Sequence, residues 1–159
     1  MHQGTDYRDQ AFQPTDTNKT SKGTKAPYYG SIGVAAALGD LTAFSVSVSS
    51  IPMSSDQEAA YAIFERGNLQ RLTVINMHEY NTTKDGAGTE PLPNPPRRMS
   101  RAFSFAVRNL TQDVSIRVQR HMANGSDAIT GVTFDGGVTT GSWTMGNLLD
   151  FITLRPGKQ

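Results

Sequence analysis

The sequence contains no cysteine, which excludes a disulfide framework, a thiol nucleophile and a thiolate metal site. It says nothing about compartment, because secreted domains with adequate cores often need no disulfide. Charge of either sign is scarce: 15 Lys and Arg face 14 Asp and Glu, leaving a formal charge of +1, and charged residues are 18% of the chain. A chain this close to neutral has no excess charge with which to attract nucleic acid or an anionic membrane surface. It also lacks the apolar run of about 18 residues that could span a bilayer. Neither a nucleic-acid nor a membrane partner is expected. Histidine is confined to His2, His78 and His121, scattered without metal-ligand spacing, so the sequence predicts no metal and no cofactor. There is no Gly-x-Ser-x-Gly elbow and no phosphate-cradling Gly-rich loop ending in Lys-Ser/Thr. Nothing in the chain reads as a self-contained active site.

What is present is 159 residues, 36% hydrophobic, with 15 Gly and 8 Pro. This length suits one domain with a little left over and excludes a complete large catalytic barrel. The composition is that of a loop-rich, mainly β domain. Four glycosylation sequons, at Asn18, Asn81, Asn109 and Asn124, point to passage through a secretory pathway. The segment Met1-His2-Gln3-Gly4-Thr5-Asp6 has neither a basic n-region nor an apolar h-region, so no signal peptide is predicted in this chain. The two readings agree if the chain is part of something longer.

Residues 1–26 are polar and aperiodic and read as loop. From Pro27 to Leu38, helical spacing of Tyr28, Ile32, Ala35 and Ala36, with Gly39 as the stop and Thr24 as an upstream cap, predicts one short amphipathic helix. The period then becomes two, with Phe44, Val46 and Val48 against Ser45, Ser47 and Ser49, which predicts a half-buried strand ending at Ile51-Pro52. Ala59 to Glu65 and Leu69 to Met77 flank Arg66-Gly67-Asn68 and read as an antiparallel hairpin. The second arm is apolar on both faces and is expected to be central in its sheet. Asn81 to Pro96 reads as a long loop. Further strands are predicted at Arg101 to Val107, Val114 to His121, Gly131 to Phe134 and Phe151 to Leu154, with a turn at Asp135-Gly136-Gly137. Short strands with Gly, Pro and Asn turns indicate an antiparallel β-sandwich.

Three features are candidates for chemistry. His78 and Glu79 are adjacent, but neighbours on a strand point to opposite faces, so they read as a polar strand end rather than an acid/base pair. Arg97, Arg98, Arg101, Arg108, Arg117 and Arg120 form a basic stretch that alternating strands would disperse over a solvated face. Trp143 could stack on a sugar ring, although a lone Trp more often fills a core or an interface.

Three strings resemble one known domain: Ala60 through Asn81, Val114-Ser-Ile-Arg-Val-Gln-Arg120 and Ser126-Asp-Ala-Ile-Thr-Gly-Val-Thr-Phe134. They are similar to the carboxy-terminal β-domain of glycoside hydrolase family 79, the β-glucuronidase-like enzymes, with the run into Ile75-Asn76 and Tyr80-Asn81 the most specific part. Met1 to Thr5 and Pro27-Tyr28-Tyr29-Gly30 resemble the family's passage from the eighth strand of its (β/α)8 barrel into the final barrel helix. The resemblance implies that residues 1–39 are the end of a barrel, with one α-helix left over from it, and that residues 40–159 are the accessory sandwich, short of its last strands. It implies a retaining hydrolase whose two catalytic glutamates lie on earlier barrel strands. Glu58, Glu65, Glu79 and Glu90, all in or beside the sandwich, match neither, so no catalytic residue and no activity are expected in this chain alone. By the same resemblance His2, Gln3 and Gly4 sit at the barrel mouth and line substrate. The implied partner is the catalytic barrel of a secreted parent enzyme. The alternative is a free-standing carbohydrate-binding sandwich that takes glycans on Trp143 and Tyr80.

Overall fold

The computed structural model describes residues 10–18, 20–43, 45–107, 114–138 and 149–156. The mainly β reading with one helix is met: strands run antiparallel throughout, and the described residues contain a single α-helix. That helix is not long and apolar enough to cross a membrane.

The polar amino-terminal segment is more ordered than its lack of periodicity predicts. Two short strands, β1 (Phe12–Gln13) and β2 (Gly23–Thr24), pair there. Gln13, only 2% exposed, organises the turn between them. Its amide donates to the carbonyls of Thr15 and Thr20 at 2.7 and 2.8 Å, and its carbonyl accepts from the Thr20 hydroxyl at 2.8 Å. A buried amide satisfied in this way holds a turn without any apolar pattern. The helix α1 (Ala26–Leu38) follows, with Pro27 in its first turn, where the missing N–H costs nothing. Thr24 is not its cap. Lys25 occupies the capping position without a side-chain capping bond, its ammonium donating instead to the Ser21 carbonyl at 3.1 Å, and the Thr24 hydroxyl meets the Tyr29 hydroxyl at 3.1 Å. Gly39 ends the helix at φ 71, its N–H donating to the Ala35 carbonyl at 2.9 Å.

The main sheet has six strands: β3 (Val46–Ile51), β4 (Glu58–Glu65), β5 (Asn68–Asn76), β6 (Val114–Met122), β7 (Thr133–Val138) and β8 (Leu149–Pro156), in the order β3-β4-β5-β8-β6-β7. Between β4 and β5, Arg66 and Gly67 both take positive φ, 52 and 78, the two-residue turn whose twist matches that of its strands. As expected, β5 is central, flanked by β4 and β8. The final strand fills the middle of the sheet: β8 pairs with β5 on one side and β6 on the other, joining the hairpin β4-β5 to the hairpin β6-β7.

Opposite residues in these ladders share a face. On one face, Ile63 packs with Ala37 of α1, and Val46, Tyr61 and Phe134 close around them. On the other, Ala60 and Val74 pack with Ile51, Met53, Phe103 and Phe105. Ile63 and Val74 are 1% and 2% exposed, and each such side chain contributes about 1.5–3 kcal/mol by leaving water. Val48, expected on the half-buried side of β3, is 49% exposed at the sheet edge.

Two strand assignments change. Residues 102–107 enter no ladder. Their alternation survives, with Phe103, Phe105 and Val107 partly buried and the residues between them exposed, so the segment lies on the sheet without joining it. Asp135-Gly136-Gly137 is strand rather than turn, paired with Arg120, Gln119 and Val118. Six consecutive pairings along β6 and β7 outweigh the local preference of two glycines.

Candidate functional site

Beyond β5 the chain runs from Asn76 to Asn81 and faces the returning segment 96–101 across a groove of about 500 Å³. Arg101 and His78 line it, and both reach the Glu58 carboxylate. The Glu58 side chain, 7% exposed, lies 3.5 Å from Arg101 Nε and 3.4 Å from His78 Nε2. Arg101 Nη2 is 2.6 Å from the same His78 nitrogen. Arginine can only donate, so in the contact with Arg101 that nitrogen accepts, and the charged partner of Glu58 is Arg101. The His78 amide is fixed separately, donating to Asn76 Oδ1 at 3.0 Å.

Tyr80 forms part of the groove wall. Its N–H donates to Ser126 Oγ at 2.9 Å and its carbonyl accepts the Ser126 N–H at 2.8 Å. The Arg98 guanidinium stands 5.1 Å above its ring, a cation–π distance, and Arg98 Nη1 lies 3.5 Å from the Ala123 carbonyl.

Behind this wall Asp127 clasps the long loop. Its carboxylate accepts from the Thr82 N–H at 3.1 Å, from the Thr83 N–H at 2.7 Å, and from the Thr83 hydroxyl. Burial pushes the Asp127 carboxyl up, but the bonds from the Thr83 hydroxyl and the Thr82 and Thr83 amides outweigh it and hold the group below its ordinary value. Gly125 makes the approach possible: a Cβ there would meet Asp127 Oδ1 at 2.3 Å and the Tyr80 carbonyl at 2.9 Å.

Retaining hydrolysis needs two carboxylates about 5 Å apart, whereas the four glutamates are each engaged elsewhere. Glu65 pairs with Arg71, Glu90 with Lys84, and Glu79 accepts from the Asn81 amide. Glu58 and Glu65 stand at opposite ends of β4, about 23 Å apart at the usual rise per strand residue. Among the described residues no three His, Cys, Asp or Glu lie together as metal ligands would.

The sequence-level candidates separate clearly. Tyr80 and Asn81 lie at the groove. Asn18 and Asn124 are exposed, and Asn81 is half-buried. His2, Gln3, Gly4, Asn109 and Trp143 lie outside the described residues. The arginine reading changes: because 97–101 is not a strand, Arg97, Arg98 and Arg101 are not dispersed but line one groove. The bracing role of Ser126 and Asp127 is not readable in the sequence because their partners are 44 to 46 residues away, a separation no local pattern encodes.

Comparison with known proteins now bears on this geometry. The sequence model of the "Glycosyl hydrolase family 79 C-terminal beta domain" matches residues 60–147, spanning β4, β5, the groove and the Asp127 clasp. The chain belongs to glycosyl hydrolase family 79. Two curated relatives are also similar to it. The "Beta-glucuronidase" of Neurospora crassa is 46% identical over 153 residues, covering 86% of this chain and 27% of that protein. The "Beta-glucuronidase" of Aspergillus niger is 43% identical over 141 residues, covering 86% of this chain and 25% of that protein. The chain thus spans about a quarter of the length of these relatives. No solved structure matches.

Proposed function

We propose that this chain is the accessory, non-catalytic carboxy-terminal part of a secreted β-glucuronidase-like glycoside hydrolase, and that it braces the catalytic barrel. The observation carrying this reading is the family match across the sheet and clasp, joined to four glutamates that are each tied to a separate partner. The helix supports it. Val34 and Leu41 are 57% and 60% exposed beside Gly30 and Ser31, in an apolar depression along α1, a surface of small and apolar residues that a neighbouring barrel element would cover. The alternation of Phe103, Phe105 and Val107 supports a second sandwich layer completed by strands from the rest of the enzyme. The exposed sequons at Asn18 and Asn124 support passage of the parent through a secretory pathway.

A chimera tests the reading. The Neurospora relative, with its matching carboxy-terminal quarter replaced by this chain, is expected to be soluble and to hydrolyse 4-methylumbelliferyl β-glucuronide. The same relative lacking that quarter is expected to aggregate or lose activity. Full activity of the shortened protein would overturn the bracing role.

A further inference from the structure

We propose that the groove between 76–81 and 96–101 is a second, non-catalytic binding site for acidic saccharides, which takes a uronate carboxylate on Arg97 and Arg98; the saccharide class rests on the proposed membership in a glucuronide-cleaving enzyme. Three arginines and His78 converge on about 500 Å³. The two carboxylates nearest them are already committed. Glu58 is withdrawn beneath Arg101, and Glu79 accepts the Asn81 amide. The groove therefore presents cationic donors that its own acids leave unanswered. Arg97 is exposed and has no partner among the described residues. A planar guanidinium of this kind meets a carboxylate through two parallel N–H bonds.

The walls are prepared for a ligand. Tyr80 is pinned through both main-chain groups to Ser126, and Asp127 fixes Thr82 and Thr83 just beyond it. Arg98 is laid over the Tyr80 ring, so its side chain surrenders little rotamer freedom when an anion arrives. Asn76, Asn81 and Ser100 add amide and hydroxyl groups of the kind that bind sugar hydroxyls. In the intact enzyme such a site would hold the acidic polymer while the barrel cleaves it.

Titration calorimetry on the full 159-residue chain, with folding checked by circular dichroism, provides the test. The probes are a hyaluronan hexasaccharide, which carries alternating glucuronate, neutral chitohexaose of equal length, and sodium sulfate. The hexasaccharide is expected to bind, more weakly as salt rises, and chitohexaose is not. Arg97→Gln should weaken binding about tenfold, as loss of one charge-assisted pair does, and Arg97→Gln combined with Arg98→Gln should abolish it. Arg97→Gln removes no internal contact, so misfolding does not confound it. Equal binding of chitohexaose, unchanged binding by both variants, or sulfate binding alone would overturn the proposal. In the chimera, the double variant should raise KM for hyaluronan fragments while leaving KM for 4-methylumbelliferyl β-glucuronide unchanged. Equal rises on both substrates would refute a separate site. An inactive chimera with intact hexasaccharide binding would sink the enzyme reading alone.

Discussion

Replacing Asp127 by Asn removes the charge that gathers the amide and hydroxyl donors of Thr82 and Thr83 while keeping the side-chain volume. A hydrogen bond to a charged group contributes about 1.5–3 kcal/mol net. Asp127 is only partly buried and Asn retains one acceptor oxygen, so the expected loss at pH 7 is about 2 kcal/mol rather than the sum of its separate bonds. For a domain of this size that lowers the melting midpoint by roughly 4–8 °C. The pH dependence separates this cause from a packing defect. The folded carboxyl titrates below its ordinary value, so the clasp contributes fully above the unfolded value near 3.8 and is lost as pH falls through the folded value. The penalty of Asp127→Asn should therefore be full at pH 7 and shrink as the pH falls below about 3.8 toward the folded value. Amide hydrogen–deuterium exchange read by mass spectrometry gives the local signal: Tyr80, Thr82 and Thr83 should lose protection in the variant while β4 and β5 keep theirs. Unchanged exchange at 80–83, or a penalty as large at pH 3 as at pH 7, would refute the clasp.

Other predictions follow from neighbouring features. His121 is 4% exposed and burial holds its imidazole below the ordinary value; its folded pKa is thus lower than its unfolded one, so the stability it contributes is present above about pH 6.5 and falls as acid charges the unfolded ring. His121→Phe should flatten the urea-midpoint profile between pH 5 and 7, and an unaltered slope would count against this. Ile63→Ala, at the α1 contact, should cost about 2–5 kcal/mol, measurable by urea denaturation. Deleting residues 149–159 should abolish cooperative melting, because β8 carries the strand pairing between the two hairpins. After secretion from a fungal host, glycopeptide mass spectrometry should find Asn18 and Asn124 occupied and Asn81 largely bare, because the Asn81 amide is engaged by Glu79.

Much of the fold was legible in the sequence, and what was missed has identifiable physics. The hairpin at Arg66-Gly67 and the central place of β5 could be read because turn chemistry and two-sided hydrophobicity are local signals. The strand at Phe151 to Leu154 was visible, but its position between β5 and β6 was not, since pairing across more than 70 residues leaves no local trace. The turn signal of Gly136-Gly137 misled because ladder bonds outweighed it. The groove was half legible. Tyr80 and the arginines were noticed separately, yet their convergence depends on 97–101 staying out of the sheet and on Ser126 and Asp127 reaching back across the chain.

The central claim is that the glycosidic bond is broken by carboxylates this chain does not carry. A glucuronate-configured epoxide, which alkylates the nucleophilic carboxylate of retaining glycosidases, tests it most directly when the labelled residue of the barrel–chain chimera is located by peptide mass spectrometry. The account predicts no labelling of the 159-residue chain alone and a single labelled glutamate in the barrel. Labelling of Glu58, Glu65, Glu79 or Glu90 would contradict it.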